Sequence, residues 1–72
     1  MSGLTKRSFS LAGHRTSVAL ETEFWAALIA IATDRGKALS ALVTDVDASR
    51  MPGQTLASAL RVLALTHYSA AR

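Results

Sequence analysis

A chain of 72 residues, half of them apolar, with no cysteine and a formal charge of +3 makes one domain at most, and a domain this small buries only about 60% of the surface its unfolded chain exposes. No disulfide can staple it, and His14 and His67 stand apart without further ligand residues beside them, so no structural metal is expected and association with a second copy becomes the natural aid to folding. No apolar run approaches the roughly 18 residues of a membrane span, and the opening residues lack the apolar core of a signal peptide, so a cytoplasmic protein is expected.

Residues 1–7 are polar, contain a glycine and show no period, which predicts a flexible basic arm carrying Lys6 and Arg7. The domain proper is expected over residues 8–70. The segment 8–12 alternates weakly and is broken by Gly13. His14 to Leu20 alternates better and predicts a strand over about 14–20, with Thr16, Val18 and Leu20 on one face and Arg15, Ser17 and Ala19 on the other.

Glu21 and Glu23 suit the first turn of a helix, with Thr22 as its cap. Phe24, Trp25, Leu28, Ile31 and Ala32 recur at helical spacing, and Gly36 is a natural stop, giving a helix over about 22–35. A second helix is predicted over about 40–50, with Leu39 before its cap, Ser40 as the cap and Leu42, Val43 and Val46 as its apolar stripe. Pro52-Gly53 breaks the chain, and Thr55 can cap a third helix over about 55–70 with Leu56, Leu60, Leu63 and His67 on one face.

A single confident strand is the oddity in this order, because its backbone donors and acceptors need partners. Two solutions present themselves. A second copy can supply an antiparallel strand, or the segment 8–12 can fold back through a turn at Gly13.

Charge is uneven along the chain. Lys6, Arg7 and Arg15 precede the first acid, Glu21, and from there five basic residues balance five acidic ones. The whole excess therefore sits at the N-terminal end, which suits phosphate backbones. Nothing offers a nucleophile, base and orienting acid at believable spacing and there is no phosphate loop, so neither an enzyme nor a cofactor is expected.

The stretch Arg15-Thr16-Ser17-Val18-Ala19-Leu20-Glu21 with Phe24-Trp25, followed by Leu39-Ser40-Ala41-Leu42-Val43, resembles the ribbon and two helices of the Arc and methionine repressors. Gly13 to Ser17, with Leu56-Ala57-Ser58-Ala59-Leu60-Arg61-Val62, resembles more closely the short bacterial ribbon-helix-helix domain proteins, over about residues 6–68. The resemblance implies a mainly helical α+β fold with an extra C-terminal helix, as an intertwined homodimer whose N-terminal strands pair into an antiparallel ribbon. Its core would hold Thr16, Val18, Leu20, Phe24, Trp25, Leu28, Ile31, Leu42, Val43 and Val46.

The same resemblance implies a DNA-binding transcriptional regulator, repressor or antitoxin-like, whose ribbon enters the major groove. Arg15, Ser17 and Ala19 would face the bases; Arg15 can donate twice to guanine, and Ala19 can touch at best a thymine methyl. Backbone N–H groups of Leu39, Ser40 and Ala41 would hold a phosphate, with Lys6, Arg7, His14 and Lys37 adding charge. The partners expected are a second copy, double-stranded DNA and a protein such as a cognate toxin, with higher assembly on DNA. The alternative is an interaction or assembly module whose core serves dimerisation and whose third helix docks a partner through Val62, Leu65 and Tyr68. A membrane-surface role fits less well, since the positive charge lies on a ribbon rather than along one helix.

Overall fold

The computed structural model describes residues 3–70. Strand β1 (Leu4–Leu11) and strand β2 (His14–Glu21) form a two-stranded antiparallel sheet, and helices α1 (Thr22–Asp34), α2 (Leu39–Ser49) and α3 (Leu56–Ala70) follow. The three helices and β2 begin and end within about one residue of the expected bounds. The ribbon is where structure and expectation part.

Residues 4–7 are strand rather than arm, with Gly3 just before the strand; Met1 and Ser2, which open the expected arm, lie outside the described residues, as do Ala71 and Arg72. One edge of the confident strand is paired within the same chain, with eight pairs running from Leu4↔Glu21 to Leu11↔His14. Local geometry explains why. Ala12 and Gly13 both take positive φ, 52° and 82°, as required of a two-residue turn whose twist matches that of paired strands. Closing a loop of two residues costs far less chain entropy than recruiting a strand from another molecule.

Side chains of an antiparallel pair share a face with their opposite residues, so the register sorts the hairpin into two surfaces. Thr5, Arg7, Phe9 and Leu11 lie with Leu20, Val18, Thr16 and His14 on the helix side, where Phe9, Leu11, Val18 and Leu20 are buried. Burying Phe9 and Leu11 stabilises the hairpin by about 1.5–3 kcal/mol each. Trp25 ties β1 down further: its Nε1–H donates to the Thr5 carbonyl at 2.7 Å, and its ring lies 5.9 Å from that of Phe9.

Helix α1 begins with Thr22 itself, and the cap position belongs to Glu21, without a capping side-chain bond. Its end follows a glycine-dependent motif: Gly36 N–H donates to the Thr33 carbonyl and Lys37 N–H to the Ala32 carbonyl, both at 3.0 Å, with Gly36 at φ 68°. Helix α2 starts one residue earlier than expected, so Ala38 takes the cap position and Ser40 is the second helical residue. The Pro52-Gly53 turn closes through Gln54 N–H to the Met51 carbonyl, and Thr55 caps α3 as expected, its Oγ1 accepting from Ser58 N–H at 3.1 Å.

The core is wholly apolar, with no buried polar or charged residue among those described. Trp25, Leu28 and Ile31 from α1 meet Leu42 and Val43 from α2 and Leu56, Leu60 and Ala64 from α3 beneath the hairpin. Phe24 and Val46 pack against this cluster, and Thr16 is half-buried. The residues expected in the dimer core thus find cover within one chain. Helix α3 and strand β1 supply that cover, and the shortfall foreseen for so small a domain is correspondingly reduced.

Candidate nucleic-acid interface

The outward surface of the hairpin carries the residues with no role in the core. Lys6 stands opposite Ala19, Ser8 opposite Ser17 and Ser10 opposite Arg15. All but Ala19 are exposed, and Ala19 is half-buried. The Ser8 and Ser17 hydroxyls lie 3.0 Å apart and share one hydrogen bond across the centre of the face. Two hydroxyls sharing one bond retain a second proton and spare lone pairs to offer a ligand.

Among the described residues neither Lys6 nor Arg15 has a carboxylate partner. At the far end of the ribbon Glu21 is held by Arg61, whose Nη2 and Nε donate to its Oε1 at 2.9 and 3.2 Å. Its carboxyl is held below the ordinary glutamate range, first by a backbone hydrogen bond and then by Arg61. The Arg61 guanidinium also lies 5.7 Å from the centre of the Phe24 ring. Glu21, which ends β2 opposite Leu4 and by register belongs to the outward face, is therefore compensated by Arg61.

The remaining expected contacts are scattered by the fold. Arg7 points to the helix side, its guanidinium 5.5 Å from the centre of the Trp25 ring, a cation–π contact that takes it away from the outward face. Lys37 pairs with Asp45 at 2.5 Å. His14 is exposed beside the turn. Of the three N–H groups expected at the start of α2, that of Ala41 donates to the Ala38 carbonyl at 3.1 Å. Those of Leu39 and Ser40 fall in the first turn, where a helix supplies no acceptor of its own.

Sequence reasoning did not bring Ser8 and Ser10 onto the face of Arg15 and Ser17, and it placed Lys6 on an arm. A signal was present, since Lys6, Ser8 and Ser10 alternate with Phe9 and Leu11. Arg7 hid it, because a charged residue on the inner side breaks the alternation unless the Trp25 ring is known to receive it.

A family model described as "Ribbon-helix-helix domain" matches residues 4–68, nearly the whole chain. The chain belongs to the ribbon-helix-helix family. No curated protein and no solved structure matches it. Ribbon-helix-helix domains are generally DNA-binding regulators, typically form homodimers and are typically non-enzymatic. In this ribbon-helix-helix protein no described helix is long and apolar enough to cross a membrane, and no described group of His, Cys, Asp or Glu is arranged to hold a metal ion.

Proposed function

We propose that this protein is a cytoplasmic DNA-binding homodimer that regulates transcription, as a repressor or antitoxin-like protein, by seating the outward face of its ribbon in the major groove. The observation that carries this reading is the exposed Arg15, without an ion pair among the described residues, on the ribbon of a family whose domains generally bind DNA. A two-stranded ribbon fits the major groove, and Arg15 can donate two hydrogen bonds to guanine O6 and N7. Ser17 meets either donors or acceptors, and Ala19 can meet a thymine methyl. His14 and the first-turn N–H groups of Leu39 and Ser40 supply phosphate contacts in this reading. Arg7 is not part of it, because it is committed to Trp25.

A second reading, docking of a partner protein on α3, draws support from one observation. Val62 and Leu65 are 51% and 67% exposed, and Leu65 and Tyr68 edge an apolar cavity of about 230 Å³ against Phe24 and Ala27. Fluorescence anisotropy separates the readings. A duplex from upstream of the protein's own gene and a scrambled duplex are titrated at physiological salt, with Arg15→Ala in parallel. Preference for the first duplex, reduced by roughly 1–3 kcal/mol in Arg15→Ala, is expected. Equal and steeply salt-dependent binding to both would mean that phosphates are gripped without sequence being read. No binding to either favours the partner-docking reading.

A further inference from the structure

We propose that Ser8 is a positioning residue for DNA reading: its hydroxyl holds that of Ser17, on the neighbouring strand, in one orientation as Ser17 meets a base edge. This rests on DNA being the ligand. It gives β1 a part in specificity that acts through Ser17, without a base contact of its own.

The case begins with what Ser17 lacks alone. A serine hydroxyl carries one proton and two lone pairs on a side chain that turns among staggered positions, and it meets donors and acceptors on base edges alike. A freely turning serine in the middle of a reading face therefore discriminates little. Ser17 does not turn freely. Ser8 stands directly opposite on β1, and the two oxygens lie 3.0 Å apart in one hydrogen bond. Among the described residues no other side chain bonds to Ser17. When Ser8 donates, Ser17 keeps its proton for a base acceptor; when Ser17 donates, its lone pairs remain for a base donor. Either way the hydroxyl presents one character at a time, and a base group that matches it extends a chain of hydrogen bonds in which each polarises the next.

Ser8 can hold Ser17 because Ser8 is itself held. Its neighbours on both sides turn inward: Arg7 lies 5.5 Å from the centre of the Trp25 ring, and Phe9 is buried with its ring 5.9 Å from the same indole. Trp25 also donates to the Thr5 carbonyl at 2.7 Å. The Ser8 hydroxyl thus projects from a strand fastened from below. β1 takes one edge of β2, and the other edge bears no strand among the described residues. The support therefore reaches Ser17 whichever strand lies on its far side.

The readout is base preference, position by position. Duplexes are selected from a randomised pool by the wild-type protein and by each variant, and the positions that Ser17→Ala relaxes are those Ser17 meets. Ser8→Ala is expected to relax preference at those same positions by about 2- to 10-fold, the range of one neutral hydrogen bond, and to keep the preferences that depend on Arg15. Ser8→Thr, which retains the hydroxyl, is expected to restore them. In Ser17→Ala protein, adding Ser8→Ala is expected to change nothing further, because residues that act as a unit are not additive. Urea midpoints matching wild type keep a loss of folding from being taken for a loss of discrimination; should Ser8→Ala be unstable, Ser8→Val, the shape of Ser8→Thr without its hydroxyl, repeats the test.

Unchanged preference in Ser8→Ala, or no position relaxed by Ser17→Ala, would overturn the positioning role. So would a further loss from Ser8→Ala in Ser17→Ala protein, which would give Ser8 a base contact of its own. Enrichment that depends on Arg15 but not on Ser8 leaves the DNA reading intact and removes this inference alone. Failure of the wild-type protein to enrich any duplex removes both.

Discussion

Ala12 holds a conformation that L-residues avoid, at φ 52° in the turn that closes the hairpin. The left-handed region costs an ordinary residue about 1–2 kcal/mol, and asparagine tolerates it better than alanine. Ala12→Asn should therefore stabilise the fold by about 1 kcal/mol, seen as a higher urea midpoint with an unchanged slope. Glu21 makes a pH-dependent contribution. Its folded pKa lies below the ordinary value, so the stabilisation is fully present above that ordinary value and is lost as pH falls through the folded one. The pair is partly exposed, so the effect is modest and screened by salt. Urea midpoints of wild type and Glu21→Gln should differ at pH 6 and converge toward pH 3; a difference independent of pH would assign the role of Glu21 to packing.

Helix α3 divides the protein's two apolar surfaces between its sides. Leu56, Leu60 and Ala64 are buried among α1, α2 and β2, whereas Val62 and Leu65 face outward. An aspartate at position 60 would place an unpaired carboxylate in a dry core, which a domain of marginal stability does not survive. Leu60→Asp should abolish the folded circular dichroism spectrum, and Leu65→Asp should leave it unchanged. Unfolding by Leu65→Asp would mean that the outer side of α3 is covered by a contact needed for folding. The hairpin shows the same division: its inner side is fastened by Phe9, Leu11 and Trp25, which leaves the outer side without a packing role.

At the scale of the molecule, a chain that covers its own core does not need a second copy to hide it, so the homodimer proposed here serves binding more than folding. Sedimentation at micromolar concentration should give twice the 7.6 kDa chain mass. A single-chain mass would remove the homodimer. By itself the sequence determined the three helices, β2 and the sorting of Arg15 and Ser17 away from Val18 and Leu20. Those features follow from local periodicity and from breakers such as Gly36 and Pro52-Gly53, which act within a few residues. Only the tertiary structure decided that residues 4–11 pair with β2, that Arg7 turns inward while Lys6 turns outward, and that Ser8 and Ser10 join the exposed face. The placement of β1 and the inward turn of Arg7 draw on Trp25, which lies 20 residues beyond Thr5, donates to its carbonyl and takes the neighbouring guanidinium over its ring, contacts no local pattern encodes.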